Sequence, residues 1–152
     1  MLRTQASGNT ALYDALTRVN RDLSGRSGKK VIVVFTDGDD NASTVTAETA
    51  IQRAKAAGVP VYTIAQGAAV THPVFLKQLA GISKATGGVS FVIREPKEIR
   101  SVFEHVSADL MHGYLLEFQP PPAHDHAWRS IAVVVAGSKN LKVRAREGYY
   151  PE

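Results

Sequence analysis

The stretch VIVVFTDGDDN, Val31 to Asn41, decides the fold of this chain. Its first five residues are apolar without alternation, which predicts a strand covered on both faces in a parallel sheet. Three carboxylates, Asp37, Asp39 and Asp40, follow within four positions. In parallel α/β sheets, ligands bind just beyond the carboxyl ends of the strands. The stretch therefore predicts a buried strand that ends in a candidate binding loop.

The segments around this strand alternate between helix-like and strand-like patterns. Apolar residues recur at helical spacing in residues 11–23, 46–57, 73–85 and 96–111. Apolar, mostly β-branched runs lie at residues 31–35, 59–65 and 89–93. This order predicts a three-layer α/β domain of the Rossmann-like type with a mainly parallel sheet, which we place at residues 1–113.

A different pattern begins at residue 114. Residues 114–119, 129–136 and 141–149 are strand-like, and they are separated by prolines and by a polar turn. Short linkers favour antiparallel neighbours. Residues 114–152 therefore predict a C-terminal antiparallel β extension.

The composition excludes several classes of protein. The 152 residues are 44% hydrophobic and 21% charged, which is typical of a globular domain. No apolar run reaches the roughly 18 to 20 residues of a membrane span, and the start MLRTQASGNT lacks the apolar stretch of a signal peptide. The absence of cysteine excludes disulfides and thiolate metal sites. The formal net charge of +4 is scattered, so nucleic-acid binding is not expected, and the compartment stays unknown.

The clustered aspartates suggest a metal. Neighbouring carboxylates repel one another unless they are solvated, capped or bridged by a cation, and a hard divalent ion such as Mg²⁺ or Mn²⁺ would bridge them. The alternative is a solvated turn at residues 39–41 with Asp37 as a cap. Upstream, SGNTALYDAL places Thr10 immediately before a predicted helix, where its hydroxyl is available as a helix cap or a neutral metal ligand.

Together, GNTALYDAL and VVFTDGDDN resemble the second and third segments of the metal-ion-dependent adhesion site (MIDAS) of von Willebrand factor type A (VWA) domains. VPVYTIAQG and ATGGVSFVI are similar to the next two strands of that family, and GYLLEFQPPP with KVRAREGYYPE is similar to the tail of its bacterial members. The resemblance covers nearly the whole chain. It implies a non-enzymatic, adhesion-type domain whose metal, through an open coordination position, takes a carboxylate from a partner protein.

Carried over residue by residue, the metal-ligating Thr of the family is Thr10, and the Asp of its TDG segment is Asp37. Asp39 and Asp40 would lie beside these ligands or at the rim of the site. The family's Asp-x-Ser-x-Ser motif, which follows its first strand, occurs nowhere in this sequence. The resemblance therefore implies an incomplete site that binds Mg²⁺ or Mn²⁺ weakly, in a chain that lacks the N-terminal portion of the domain.

The missing portion also bears on the sheet. In the family, the first strand lies beside the strand that corresponds to Val31–Phe35. Without it one edge of this strand would be unpaired, and such edges invite pairing with another chain. We expect one of three arrangements: a homodimer through this edge, a C-terminal extension that bends into the gap, or a chain that is the latter part of a longer protein.

Two other functions stay open. Asp37-Gly38-Asp39 after a strand also resembles the first motif of haloacid-dehalogenase-like phosphatases, in which Asp37 would be the nucleophile and Asp39 the acid/base of a Mg²⁺-dependent reaction. A structural oligomerisation module without metal is the other alternative.

Histidines offer further candidate ligands. HDH at residues 124–126 has the imidazole and carboxylate groups that bind transition metals, but its spacing in a proline-flanked loop is more typical of an exposed polar turn. His72 precedes Pro73, and we interpret it as the residue at which a helix begins.

Overall fold

The computed structural model of the chain describes residues 8–24, 26–114, 116–120, 125, 127–137, 141 and 143–151. Its larger sheet has three parallel strands in the spatial order β1-β2-β3, which are Ile32–Thr36, Val61–Ala65 and Ser90–Val92. The register aligns Ile32 with Val61 and Thr63 with Ser90. The three strands predicted for the α/β part are confirmed, and their ends lie within two residues of the prediction.

Helices alternate with these strands, as predicted. They are α1 at Leu12–Ser24, α2 at Ala47–Ala57, α3 at Pro73–Thr86 and α4 at Glu98–His112. A 3₁₀ helix at Gly67–Thr71, which the sequence pattern did not predict, lies between β2 and α3. The start of α2 is fixed by Thr46, whose side chain accepts a hydrogen bond from the backbone of Thr49. Its end is fixed by Gly58, which adopts the left-handed conformation that favours glycine.

The helices cover both faces of the sheet and so form three layers. α1, α2 and α3 pack on one face, where the larger hydrophobic cluster includes Leu16, Ala54, Val61, Leu79 and Ile82. On the other face, Val102 of α4 joins Ile64 and Ile93 in a smaller cluster. The predicted α/β fold class is therefore confirmed.

α4 does not reach across the whole of its face. Val33 and Phe35 of β1 are aligned with Tyr62 and Ile64 of β2, and Ile64 belongs to the cluster on the α4 side. The side chains of Val33 and Phe35 nevertheless remain 39% and 44% exposed. In the part of the chain that the structure describes, β1 pairs with β2 alone. Within the described residues, the larger sheet therefore ends at β1, and this edge, called the open edge of β1, is flanked by apolar side chains.

The C-terminal extension contains less strand than predicted. Among its described residues, only β4 at Arg129–Ser130 and β5 at Gly148–Tyr149 form a ladder, which is antiparallel. The rest of the predicted three-stranded meander is not strand where it is described. Two of its apolar side chains cover no surface of the protein, since Leu116 is 66% and Val134 is 84% exposed.

The ladder packs against α2 and α3. Glu147 Oε2 lies 3.0 Å from Lys55 Nζ, and the ammonium of Lys55 lies 5.2 Å from the ring centre of Trp128. Glu147 N–H also donates to Ala85 O at 3.5 Å. The described part of the extension therefore does not fill the gap beside β1. This packing does not test the predicted division between the α/β domain, residues 1–113, and the extension, residues 114–152, which stays a prediction. No helix within the described residues has the length and hydropathy to cross a membrane.

Candidate functional site

The acidic loop, residues 37–46, lies at the carboxyl end of β1 and is connected to its neighbours by hydrogen bonds to backbone groups. Thr10 N–H donates to Asn41 Oδ1 at 2.7 Å, and Asn41 N–H donates back to Thr10 O at 2.9 Å. At the start of the loop, Asp37 O accepts from Ala69 N–H at 3.0 Å. Thr10, two residues before α1, and the 3₁₀ helix after β2 are thus held against the loop where the sequence predicted a binding site.

Asp40 caps α1 across a long sequence separation. Its Oδ2 accepts hydrogen bonds from Tyr13 N–H at 2.9 Å and from the Ser43 hydroxyl at 2.6 Å, while its Oδ1 accepts from Ser43 N–H at 3.1 Å. The carboxylate thereby satisfies a backbone donor of the first turn of α1 and is favoured by the helix dipole. Partial burial raises the pKa of Asp40, but the hydrogen bonds from Ser43 and from the backbone of α1 together lower it below its usual value.

Asp14, which lies on α1 itself, binds the far end of the acidic loop. Its carboxylate accepts from Thr44 N–H at 2.9 Å and from Val45 N–H at 3.1 Å. The bond from Thr44, followed by that from Val45, lowers the pKa of Asp14. In addition, Ser43 Oγ accepts from Asp14 N–H at 3.0 Å. Asp14 and Asp40 therefore hold the loop against α1 at two points.

Asp39 faces a different neighbour. Its Oδ2 lies 2.6 Å from Nδ1 of His72, and His72 is the residue immediately before α3. Both residues line a cleft of about 290 Å³ together with Tyr13. Burial, and then the negative charges of Asp40 and Asp39, raise the pKa of Tyr13 to about 12. The Tyr13 hydroxyl stays neutral near pH 7 and donates to Gln78 Oε1 at 2.8 Å.

Asp37 and Thr10 are the two predicted ligands whose side chains are free. The Asp37 carboxylate is exposed, and neither it nor the Thr10 hydroxyl has a hydrogen-bond or ion-pair partner among the described residues. Both residues line one cleft of about 440 Å³ between α1 and β1. The fold thus brings a carboxylate and a hydroxyl to one opening and uses neither of them for structure.

The Asp37 carboxylate and the Thr10 hydroxyl supply some, but not all, of the ligands that a hard divalent cation needs. Oxygen donors are the ligands that Mg²⁺ prefers, but Mg²⁺ needs six of them in near-octahedral array and usually keeps several waters. No group of three or more His, Asp or Glu side chains is arranged to hold a metal within the described part of the chain. A cation here would depend on Thr10, Asp37, water and a ligand from elsewhere. The carboxylates of Asp39 and Asp40 are engaged with His72, Ser43 and the backbone of α1. Their contribution to a metal site stays a prediction.

The other candidates from the sequence gain no support. His124 and His126 of the HDH tripeptide lie outside the described residues, while Asp125 pairs with Arg129 at 2.6 Å. The phosphatase hypothesis requires Asp37 and Asp39 to act together, and it stays a prediction without a supporting contact.

Sequence reasoning missed the residues that organise the loop. Asp14 appeared only as part of a helical pattern, and Ser43 was not singled out. The turn-forming composition of the run after Asp40 is a signal for local hydrogen bonds, but it does not identify partners that lie 27 to 31 residues away. His72, which we interpreted as the residue at which a helix begins, does precede α3 but makes no capping bond through its side chain.

Comparison with known proteins identifies the family. The family model of the von Willebrand factor type A domain matches residues 1–105. The chain belongs to the VWA family. A search of curated proteins finds no match, whereas nine chains among solved structures match. One is an uncharacterized membrane spanning protein from Vibrio fischeri, with 22% identity, coverage of 70% of this chain and 61% of that chain, and a TM-score of 0.47. The chain thus spans less than two thirds of the length of that protein.

Membership confirms the resemblance to VWA domains and agrees with the α/β fold predicted from the order of the segments. VWA domains are typically non-enzymatic protein-interaction modules, so the family supports a protein-interaction function of the adhesion type for this VWA domain.

Proposed function

We propose that this VWA domain binds a protein partner through a divalent cation, Mg²⁺ or Mn²⁺, that Thr10 and Asp37 hold in part. The observation that carries the proposal is that some of the predicted oxygen ligands are already hydrogen-bonded or ion-paired and others are not. Asp39 and Asp40 are bonded to neighbouring residues, whereas the Asp37 carboxylate and the Thr10 hydroxyl share an open cleft with no partner among the described residues. Bound there, the cation would offer an open coordination position to a carboxylate of the partner.

The hydrogen bonds of the acidic loop support this proposal because they fix the positions of both ligands. The backbone N–H and C=O of Thr10 both form hydrogen bonds with Asn41, and the backbone C=O of Asp37 accepts a hydrogen bond from Ala69. Ligands that the surrounding structure holds in place lose less conformational freedom when an ion binds. The side chains of Thr10 and Asp37 can therefore meet a cation without refolding of the loop.

We expect the affinity for the cation alone to be weak. With one carboxylate and one hydroxyl from the protein, most of the six positions around Mg²⁺ would be filled by water. Dissociation constants in the millimolar range are therefore expected, and a partner carboxylate that completes the site should tighten the binding.

Calorimetric titration of Mg²⁺ and Mn²⁺ into the purified protein tests the proposal. Asp37→Ala should abolish binding, and Thr10→Val, which keeps the size of the side chain but removes the hydroxyl, should weaken it. Asp22→Ala is the matched control, since it removes an exposed carboxylate of α1 whose ion pair with Arg21 measures 3.9 Å. Binding that survives Asp37→Ala, or equal losses for Asp37→Ala and Asp22→Ala, would contradict the proposal.

The open edge of β1 favours a second candidate, a structural oligomerisation module. The edge would use backbone groups of β1, whereas the cation would use the side chains of Thr10 and Asp37, which line the same cleft.

A further inference from the structure

Four residues of the C-terminal extension run from one layer of helices to the other. We call this segment, residues 144–147, the strap. At one end, Glu147 Oε2 lies 3.0 Å from Lys55 Nζ of α2. At the other end, the guanidinium of Arg144 forms an ion pair with Asp109 of α4. The strap therefore joins the two layers that the larger sheet separates.

The strap passes close to the amino ends of two strands. Gly87 lies shortly before β3, and a Cβ placed on it would lie 2.9 Å from the backbone of Ala145. Gly58 lies shortly before β2, and a Cβ placed on it would lie 2.9 Å from Nη1 of Arg146. Asp37 follows the carboxyl end of β1, and the strands are parallel. The strap and the proposed cation ligand are therefore at opposite ends of the sheet.

The carboxylate of Asp109 has a partner from each element that meets it. Arg144 Nη2 of the strap donates to its Oδ1, and the Tyr62 hydroxyl of β2 donates to its Oδ2 at 3.3 Å. His105, one turn earlier on α4, has its Nε2 3.7 Å from the same Oδ2. Burial, and then the charge of Asp109, raise the pKa of Tyr62, so its hydroxyl stays neutral near pH 7. Asp109 is thus shared between a permanent cation, Arg144, and a histidine that becomes a cation when it is protonated.

The ring of His105 faces both charged groups through one nitrogen atom. Its Nε2 lies 3.4 Å from Arg144 Nη1 and 3.7 Å from Asp109 Oδ2. A guanidinium nitrogen only donates, so the first contact is a hydrogen bond only while Nε2 is unprotonated. The second contact is an ion pair only when the ring is protonated. From β3, the ring meets the uncharged side chain of Phe91, with 5.3 Å between ring centres. The two polar contacts therefore exclude one another.

Protonation of His105 should favour separation of the strap from α4. While the strap is closed, the positive charge of Arg144 lies beside the ring and already neutralises Asp109. With the strap open, the ring would face the charge of Asp109 without Arg144 and would bind a proton more tightly. A proton that binds more tightly to one state shifts the equilibrium toward that state. An ordinary histidine has a pKa of about 6.5, which sets the expected range at about pH 7.5 to 5.5.

We propose that His105 and Asp109 form a pH-sensitive latch that holds the strap on α4 at neutral pH and releases it in acid. Near pH 7.5, Arg144 holds Asp109, and His105 accepts from Arg144. Near pH 5.5, the protonated ring repels Arg144 and pairs with Asp109. The contact of Glu147 with Lys55 contains no histidine, so the strap should open only at its α4 end.

Nuclear magnetic resonance spectra of the whole chain, recorded with a chelator present, test the latch through the amide of Ala145 in the strap. His105→Gln keeps a neutral side chain at every pH and is the reference for the closed strap. Asp109→Ala removes the carboxylate that holds Arg144 and is the reference for the open strap. Between pH 7.5 and 5.5, the wild-type resonance should move from the closed toward the open position. The open fraction should rise by on the order of tenfold, because a neighbouring opposite charge changes proton binding by about this factor or more.

Two further variants complete the test. His105→Lys carries a positive charge at every pH in this range and should give the open position already at pH 7.5. His112→Gln is the matched control, because His112 lies on the same helix, is exposed and has its Nδ1 2.8 Å from Ala108 O. It should leave the wild-type movement unchanged. The amides of β2, which should not move, report that each variant is folded.

Three results would overturn the proposal. The first is a wild-type Ala145 resonance that stays in one position between pH 7.5 and 5.5. The second is a movement of the same size in His105→Gln as in the wild type, because another group would then titrate. The third is a closed strap in His105→Lys at pH 7.5. Since a chelator is present throughout, none of these results depends on the cation site.

Discussion

Replacement of Asp40 by Ala removes the carboxylate that joins the acidic loop to the start of α1. Three hydrogen bonds would be lost, from Tyr13 N–H, Ser43 N–H and the Ser43 hydroxyl. A hydrogen bond to a charged group contributes about 1.5–3 kcal/mol, and the loss of a helix N-cap costs about 0.5–2 kcal/mol. Because the site is partly exposed, water replaces part of what is lost. We expect Asp40→Ala to lower the free energy of unfolding by about 2–3 kcal/mol.

The loss should depend on pH in a defined direction. The pKa of Asp40 is lower in the folded protein than its usual value, so the unfolded chain binds the proton more tightly. The stability that the carboxylate contributes is therefore present above its unfolded pKa of about 4 and is lost as the pH falls through the folded pKa. The difference between wild type and Asp40→Ala should be constant near neutral pH and should shrink below about pH 4.

Urea unfolding followed by far-ultraviolet circular dichroism measures this difference, since the helices dominate the signal. Asp37→Ala is the matched control, because it removes a carboxylate from the same loop that has no partner among the described residues. It should stay within about 0.5 kcal/mol of the wild type. Equal losses for the two variants, or no loss for Asp40→Ala, would refute the assignment of Asp40 as the cap of α1.

Three further predictions concern a buried amide, the titration of a tyrosine and the packing of a glycine. Asn20 is 2% exposed, and its amide has no partner among the described residues. Asn20→Leu should therefore raise the free energy of unfolding, measured by urea titration, by about 1 kcal/mol. A lower free energy of unfolding in the variant would contradict this prediction. The raised pKa of Tyr13, about 12, means that its neutral form stabilises the fold. The free energy of unfolding should fall as the pH rises from about 10 to 12, and this decrease should be smaller in Tyr13→Phe. The same decrease in the variant and the wild type would contradict this role of Tyr13. A Cβ at Gly88 would lie 2.0 Å from Val61 O, whereas one at Gly38 meets nothing within 4 Å. By thermal unfolding, Gly88→Ala should destabilise by about 3 kcal/mol or more and Gly38→Ala by less than about 1 kcal/mol, and similar values for the two would be inconsistent with this packing.

The α/β part could be predicted from the sequence because its signals are local. Gly58 and Gly87 end α2 and α3 in the left-handed conformation, as the pattern of apolar residues followed by glycine indicates. The apolar run from Val31 to Phe35 overlaps β1 closely because a strand between two layers needs apolar residues on both faces. These features require no knowledge of distant residues.

The C-terminal extension and the acidic loop were less predictable because both depend on tertiary contacts. Alternating apolar residues predict a strand only if a surface is available to cover them, and Val134 at 84% exposure has none. Asp39 and Asp40 look equivalent in the sequence. Their roles separate only when the fold places His72 beside one and the start of α1 beside the other.

A crystal of the protein soaked in Mn²⁺, with diffraction recorded at the manganese absorption edge, tests the central claim most directly. The account predicts one anomalous peak in the cleft between α1 and β1, within roughly 2–2.5 Å of both the Thr10 hydroxyl and the Asp37 carboxylate. A peak that touches neither residue, or no peak at a concentration of Mn²⁺ that saturates the calorimetric signal, would contradict it.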